Sequence, residues 1–546
     1  MKKFNTYILV LIVCLLSFQS LIAQAEDRSR PEEWKNLVPG ARLMDLFLPM
    51  EGYVYSSETW GANNVLPRYI DNGIEDFIWS YWGGNIKQDE NGKYHLFVAG
   101  WLENSDKGHM TWPDSYVFNT VSDSIQGPYK PINIIGSGHN PEIFQIDDGR
   151  YVLYVIDGRY VSNNLNGKWE YGKFDFNNRD RKIIEGLSNI SFAKREDGSF
   201  IAVDRGGGIW VSKDGLSQYN LITDSRVYPN VEGRFEDPVI WKDHIQYHLI
   251  VNDWLGRIAW YLRSKDGINW VTDPGEAYAP GIAVHKDGTE EDWFKYERLK
   301  FYQDKFGRPI QANFAVIDTI KWEDKPYDNH SSKNISIPFN PGLLLEIEND
   351  KRITSKTSSI RLRIKAEEHF NPSEDIDIES LKFGAPSEVN FGRGVKAIDS
   401  HRDGDDLIVI FDGKGNGITE ENFTAKLIGK SIKGELLYGY SRLPGVAYLV
   451  PILSARAPKF SLGSATVEIQ NFGQVASEKT SIKIEKIDGE NRKIVATGRV
   501  QVLQPFEKTE VKLSVKGNGI NISETDHFLV TIYTGNKILS KFNTNQ

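Results

Sequence analysis

One pattern occurs five times between Trp79 and Asn313: a polar cluster, a short apolar run, a turn and a second apolar run. By subtraction of residue numbers, the cluster starts are separated by 56, 50, 48 and 61 residues; they are Gly83, His139, Asn189, Asp237 and Arg298. Strand-only repeats of about 50 residues indicate the blades of a β-propeller. Since the innermost strands of all blades begin at one mouth of the central channel, we expect the five clusters to converge on one funnel.

The composition and the hydrophobic pattern of the chain change after about Pro341. Tryptophan disappears, and short alternating segments such as SIRLRIKAE and KTSIKIEKI follow one another, which is typical of β-sandwiches. The sequence therefore predicts an all-β protein, with a five-bladed β-propeller followed by two β-sandwich (Ig-like) modules. The predicted boundaries are 1–24 for a signal peptide, 25–340 for the propeller, 341–455 for the first sandwich and 456–546 for the second.

The N-terminal segment has the pattern of a bacterial-type secretory signal peptide. Lys2 and Lys3 precede an apolar run over 7–18 that is too short to span a bilayer, and small residues follow it. The single cysteine, Cys14, lies inside this segment, so the exported chain has no disulfide. We therefore expect a secreted or periplasmic protein without a membrane anchor.

The charge of the chain excludes one class of partner. Its formal net charge is -9, and loss of Lys2 and Lys3 with the signal peptide makes it -11, with no block of basic residues elsewhere. Nucleic acid is therefore not an expected partner. An anionic substrate stays compatible with this charge, because a local basic patch can lie in an acidic protein.

Several blade motifs carry a family resemblance: GPYKP (127–131), HNPEIF (139–144), FEDPVIW (235–241) and SKDGINW (264–270). Over residues 77–335 they resemble the five-bladed propeller enzymes of glycoside hydrolase families 43 and 117. The resemblance implies a carbohydrate-active enzyme with an Asp in blade one, a second Asp in blade two and an acidic Glu further round. This chain departs from that pattern, because blade one has Gly83 and no carboxylate at its start. The usual carboxylate triad is therefore not intact.

The residues left at the predicted mouth suggest two kinds of chemistry. Three carboxylates remain at this mouth: Glu236, Asp237 and Glu297. Two of them have a structural alternative, because Asp237 could cap the start of its strand and Glu297 could pair with Arg298. The other side chains are His, Arg, Asn and Tyr, which suit β-elimination from a uronic acid: a cation neutralises the carboxylate, and His or Tyr moves the proton. The predicted catalytic residues are His139, Tyr296, Glu236 and Asp237. The predicted substrate-binding residues are Arg205, Arg234, Arg298, Trp82, Asn85, His109 and Asn140.

The sequence thus favours a carbon–oxygen lyase over a glycosidase. The expected reaction is β-elimination, catalysed by a lyase or a dehydratase. The expected substrate is an anionic poly- or oligosaccharide that contains uronic acid, with or without sulfate groups (ulvan-like). Two alternatives stay open at this point: a glycoside hydrolase related to families 43 and 117, and a non-catalytic glycan-binding propeller. No cofactor or catalytic metal is expected, since no metal-binding spacing occurs, while a structural calcium ion is compatible with the sequence.

Overall fold

The computed structural model describes residues 27–57, 68–324, 326, 332–354, 356–516, 523 and 526–544. The predicted signal peptide lies outside these residues. The all-β class is confirmed, since strands dominate and the helices of the described residues have four to seven residues. The 3-10 helices are Glu32–Asn36, Leu43–Leu46 and Gly108–Asp114, and the α-helices are Pro372–Asp375 and Pro386–Val389. No helix in the described part of the chain has the length and apolarity needed to cross a membrane.

Five antiparallel sheets, called blades one to five here, occupy the repeats in order. Blade one is Trp79–Gln88, Tyr94–Leu102, Tyr116–Ser122 and Lys130–Ser137. Blade two is Glu142–Gln145, Tyr151–Val155, Gly158–Ser162 and Glu170–Gly172. Blade three is Ser191–Lys194, Phe200–Val203, Ile209–Ser212 and Tyr219–Leu221, with Phe176–Asn177 added in parallel at its outer edge. Blade four is Phe235–Lys242, Tyr247–Asp253, Ile258–Ser264 and Val271–Tyr278; blade five is Lys295–Gln303, Pro309–Ile317 and Ser332–Pro338.

The first strands of the five blades contact one another in cyclic order, and blade five contacts blade one. This closed ring is the arrangement expected of a five-bladed propeller. The middle strands of the blades are buried on both faces because each sheet packs between two others; all seven residues of Ile258–Ser264, the third strand of blade four, are buried. The leader lies along the outer edge of the three-stranded blade five, through bridges from Phe47 to Phe339 and from Ile74 to Asn334.

Two further two-sheet sandwiches follow the ring. The first pairs Leu345–Ile347, Ser359–Ile364, Asp406–Asp412 and Ala397–Asp403 with Ile376–Gly384, Thr424–Ser431 and Leu436–Arg442. The second pairs Leu453–Ala455, Lys459–Ser461, Ser464–Asn471 and Lys508–Ser514 with Thr480–Asp488, Asn491–Val500, His527–Thr534 and Lys537–Asn543. Each has its own apolar core. The Ig-like assignment and the predicted domain boundaries stay predictions. A short two-stranded sheet, Tyr55–Ser56 with Arg68–Tyr69, lies in the leader.

Buried arginines connect the ring to both sandwiches. Arg179, from the loop before blade three, donates to the Ser454 carbonyl at 3.0 Å and pairs with Glu468 at 3.0 Å. Arg263 of blade four is held by Asp273 at 2.8 Å and donates to Thr424 of the first sandwich at 2.9 Å. Since the guanidinium groups are buried and paired, these contacts fix the sandwiches to the outside of blades three and four.

Candidate functional site

Each blade places one residue with a left-handed backbone beside the ring axis, at or just before its innermost strand. The φ angles of these residues lie between 52° and 64°; they are Gly83, Asn140, Asn189, Asp237 and Arg298. In blades one, four and five a β-bulge lies at this point. Positive φ is costly for residues other than glycine, and it is maintained where the surroundings demand it. Four of the five positions are the predicted cluster starts, and in blade two the equivalent residue is Asn140 rather than His139.

Four of these residues form a hydrogen-bonded belt across the axis. Asn140 Nδ2 donates to Asn189 Oδ1 at 2.8 Å, and Asn189 Nδ2 donates to Asp237 Oδ1 at 2.8 Å. Arg298 Nη1 donates to the same Asp237 oxygen at 2.9 Å, while its Nη2 reaches the Asn140 carbonyl at 3.4 Å. A Cβ on Gly83 would lie 3.3 Å from Arg298 Cβ, so glycine leaves room for the arginine. The belt closes the channel and orients Asp237.

A cavity of about 450 Å³ opens on one side of the belt. Its aromatic walls come from Trp82, Trp112, Trp254 and Trp322, and the last two meet nearly at right angles with ring centres 6.4 Å apart. Its polar lining comes from His109, His139, Asn140, Ser188, Asn189, Arg205, Glu236, Asp237, Glu297, Arg298 and Lys321. A concave apolar site with a few convergent polar groups is the usual form of a ligand pocket.

Three carboxylates converge in this cavity. Glu236, Asp237 and Glu297 each have a carboxylate oxygen within 4.8 Å of those of the other two. Glu236 faces Arg205 at 3.3 Å and Lys321 at 4.0 Å. Glu297 contacts Lys295 at 2.7 Å through one oxygen and Lys321 through the other. Since a Lys or Arg contacts every member, the protein itself compensates the negative charge, and we assign no metal-ligand role to the cluster.

The environments of Glu236 and Glu297 shift their protonation in opposite directions. Burial raises the pKa of the Glu236 carboxyl to about 7, and the adjacent Asp237 charge adds to that effect. Burial also acts to raise the pKa of Glu297, but Lys295 and Lys321 outweigh it and lower the pKa below its ordinary value. At neutral pH, therefore, Glu297 is ionised, while Glu236 has a substantial protonated fraction.

Asp237 presents one free oxygen. Its Oδ1 accepts from Asn189 and Arg298, whereas its buried Oδ2 has no hydrogen-bond partner among the described residues. An unpartnered buried oxygen is costly unless a ligand or water satisfies it. The belt thus fixes Asp237 while leaving one oxygen available at the base of the cavity.

Both cavity histidines are held as neutral rings. His139 Nδ1 lies 2.9 Å from Ser115 Oγ, and its ring lies 4.8 Å from that of Trp112. His109 Nδ1 lies 2.9 Å from Ser332 Oγ. Burial, and then nearby positive charge, lowers the pKa of each imidazole well below its ordinary value. These rings can exchange hydrogen bonds with a ligand, but they are weak bases.

The structure brings most of the predicted site residues together. Those lining the cavity are Trp82, His109, His139, Asn140, Arg205, Glu236, Asp237 and Arg298. Arg298, however, is 1% exposed and committed to Asp237, so it supports the belt rather than offering a free cation to a substrate. Asp237 therefore does more than cap its strand, and Glu297 pairs with two lysines instead of with Arg298.

The structure places three of the predicted site residues outside this cavity. Tyr296 is buried in the apolar core, where its ring meets that of Phe314 at 5.5 Å, because the bulge after it turns the next residue to the axis. Asn85 lies beyond the belt, where its amide exchanges two hydrogen bonds with the Ile143 backbone. Arg234 is exposed outside the cavity, with its backbone N–H bonded to Asp253.

The sequence placed Glu297 at the mouth without giving it a role, and it did not reveal Lys321, Lys295 or the Trp254–Trp322 pair. Lys321 and Trp322 follow the second strand of blade five, at a place where no repeated motif marks them. Lys321 lies 4.9 Å above the Trp82 ring and Lys295 lies 5.0 Å from the Trp254 ring. Only the folded ring brings these pairs together. For Glu297 a signal was present, because it precedes a cluster start.

Comparisons with known proteins give only distant matches. No family model and no curated protein matches the chain. Among solved structures the chain is similar to the α-L-arabinofuranosidase from Lactobacillus brevis, at 10% identity over 49% of this chain and 92% of that one, with a TM-score of 0.34. A thermostable family-43 glycoside hydrolase matches at 12% identity over 49% and 90%, with a TM-score of 0.31. At these TM-scores the matches carry no argument, and the architecture is taken from the sheet order itself.

Proposed function

We propose that this protein is a hydrolase of glycosidic bonds, with its active site in the cavity above the belt. The observation that carries the proposal is the convergence of three carboxyl groups in a cavity lined by four tryptophans. The pKa of one of them, Glu236, is raised, and that of another, Glu297, is lowered. Glycoside hydrolysis requires one carboxylic acid to protonate the leaving oxygen and one carboxylate on the other side of the reaction centre. A carboxyl group whose environment raises its pKa is the usual choice for the acid, and in this cluster that group is Glu236.

Glu236 is assigned as the general acid, because its carboxyl combines a raised pKa with partial exposure to the cavity. Asp237 is assigned as the second carboxyl group of the reaction, because Arg298 and Asn189 hold one oxygen and leave the other facing the cavity. Glu297 has a lysine at each oxygen, so it orients Lys321 instead of attacking. An oxygen of Glu236 and one of Asp237 lie within 4.8 Å of each other. The anomeric configuration of the first product decides between retention and inversion.

Hydrolysis fits the cavity better than the β-elimination favoured by the sequence. No tyrosine lines this cavity in the part of the chain that is described, since Tyr296 lies in the core. The two histidines are weak bases, whereas removal of a sugar C5 proton needs a base of higher pKa. Arg298 is occupied by Asp237. Two alternatives remain, β-elimination and glycan binding without catalysis. Analysis of the products, described below, distinguishes both from hydrolysis.

The substrate is proposed to be a poly- or oligosaccharide whose end enters the cavity. Aromatic faces of Trp112, Trp254 and Trp322 suit stacking against sugar rings, and the belt closes the floor, so a chain cannot thread through. The predicted anionic character of the substrate is kept as a proposal. Arg205 supports it, because its side chain is 35% exposed in the lining and its Nε has no partner among the described residues. Export to the periplasm or the medium also stays a proposal.

Replacement of Arg205 tests the anionic part of the proposal. We expect Arg205→Gln to reduce kcat/KM on an acidic oligosaccharide by about 10- to 100-fold, or roughly 1–3 kcal/mol, because a charge-assisted hydrogen bond is lost. On the same substrate with its carboxyl groups reduced, the variant and the parent should differ much less. Equal losses on the two substrates would show that Arg205 acts through Glu236 alone, and the substrate would then be neutral.

The proposed function is tested with a panel of aryl glycosides and plant and algal oligosaccharides. Release of reducing ends, without formation of an unsaturated uronate, is the expected result. Proton NMR of the first product, recorded before mutarotation, reads the anomeric configuration. Inversion would make Asp237 a base that activates water. Binding of oligosaccharide without any turnover across the panel would contradict the proposal and favour the glycan-binding alternative.

A further inference from the structure

A second opening lies at the other end of the ring, beyond the belt. One further layer of inward-facing side chains separates it from the belt: Asn85, Glu142, Ser191, Val239 and Lys300. Past this layer the inner strands diverge around a space of about 450 Å³. The belt and this layer divide the axis into two compartments. The second compartment shares no lining residue with the proposed active site.

Lysines dominate the charge of this second compartment. Five line it, namely Lys87, Lys194, Lys242, Lys300 and Lys305, against two carboxylates, Glu142 and Asp304. Asp304 is already committed, since its oxygens accept from the backbone and side chain of Arg308. Lys194 and Lys242 pair with Asp147 and Glu196, which lie outside the lining. The inner wall therefore depends on Glu142 alone for its negative charge.

Glu142 cannot compensate both lysines that face it. Lys300 is 3% exposed, bonds to Glu142 and donates to Ser191 at 3.1 Å. The other Glu142 oxygen accepts the Phe192 N–H at 2.9 Å. Lys87 is half-buried and interacts electrostatically with the same carboxylate. It has no hydrogen bond or ion pair with a side chain among the described residues. Two lysines thus share one carboxylate. Burial lowers the pKa of both ammonium groups, and an anion in this cavity would hold them in the charged form.

We propose that this compartment binds a tetrahedral oxyanion, a sulfate or phosphate group, through the Lys87 ammonium with support from Lys300. Such an anion supplies the missing charge and the acceptor oxygens. The group can come from a free inorganic ion or from a sugar that carries it, and the cavity is large enough for both. This inference does not rest on the proposed hydrolysis, since the compartment is separate from the carboxylate cluster.

The test measures binding and thermal stability in chloride, sulfate and phosphate at equal ionic strength. For the unmodified chain we expect saturable sulfate binding by calorimetry. We also expect a rise in Tm of about 2–4 °C that keeps growing with the logarithm of the sulfate concentration, because the anion binds the folded state only. A sulfated hexose, compared with inorganic sulfate and with the unsulfated hexose, separates the two sources. Tighter binding of the sulfated sugar assigns the compartment to a saccharide, and equal binding assigns it to the free ion.

Lys87→Met is the diagnostic variant. We expect it to lose the saturable response to sulfate and to be at least as stable as the parent in chloride, because an uncompensated charge has been removed. Lys87→Arg should keep the response, and Lys213→Gln, at an exposed lysine of blade three, controls for general salt effects. The absence of saturable binding in the unmodified chain would overturn the proposal, as would an unchanged sulfate response in Lys87→Met. If Lys87→Met does not fold, loss of binding in Lys87→Gln takes its place.

Discussion

Glu236→Gln is expected to reduce kcat on an oligosaccharide by about 10²–10⁴-fold, because the amide cannot protonate the leaving oxygen. On an aryl glycoside with a good leaving group the loss should be much smaller, since departure of a stabilised phenolate needs little proton transfer. The pH dependence follows from the raised pKa of Glu236, about 7. The acid form is required, so kcat/KM of the parent should fall as pH rises through about 7, and the variant should lack that limb.

The matched control is Glu232→Gln, four residues earlier. Glu232 is 89% exposed at its side chain and lies 3.6 Å from Arg28. We expect this variant to keep both the rate and the pH profile of the parent. If Glu236→Gln lost the same factor on aryl glycosides and on oligosaccharides, Glu236 would not be the acid. A retained alkaline limb in that variant would lead to the same conclusion.

Arg298→Ala is expected to lower the free energy of unfolding by about 3–5 kcal/mol, because it leaves Asp237 buried without its ion partner. The two side chains are 1% and 2% exposed and lie 2.9 Å apart. The substitution also removes the hydrogen bond from Arg298 Nη2 to the Asn140 carbonyl, which closes the belt. Tryptophan fluorescence during chemical denaturation is a suitable measurement, since all 14 tryptophans precede residue 323 and thus report on the ring and its leader.

Arg226→Ala serves as the control for this change. Arg226 pairs with Glu185 at 2.9 Å, but the two side chains are 37% and 42% exposed. An exposed pair of this kind contributes about 0–1 kcal/mol. A similar, small effect of the two substitutions would mean that the belt does not hold Asp237 by ionic pairing. Arg298→Met combined with Asp237→Asn should recover part of the stability lost in Arg298→Ala, since no unpaired charge remains.

Much of the fold could be predicted from the repeat, because alternating strands and Asp-Gly turns are local signals. The turn at Asp148-Gly149, for example, lies between the first two strands of blade two, as its sequence indicates. The sequence also identified the place where each blade meets the axis. It did not reveal the left-handed backbone of Asp237 and Arg298, because a β-bulge depends on how neighbouring blades pack.

The candidate site could be predicted only in part, for the same reason. The blade starts gave Glu236, Asp237 and Arg298, but not which of them pair. The preference for elimination came from counting His and Arg residues at the mouth. Two facts of packing change that preference: Arg298 is committed to Asp237, and Tyr296 lies one residue before a bulge that turns it into the core. Lys321 carries no local motif, and only ring closure brings it to Glu297.

The central claim is that this cavity cleaves a glycosidic bond with water. The most direct measurement is mass spectrometry of products formed from an active oligosaccharide in ¹⁸O-labelled water. Hydrolysis predicts one labelled oxygen at each new reducing end, no unsaturated sugar, and loss of this labelling in Glu236→Gln. Unlabelled products that carry a new double bond would contradict the account, because they would show β-elimination instead of hydrolysis.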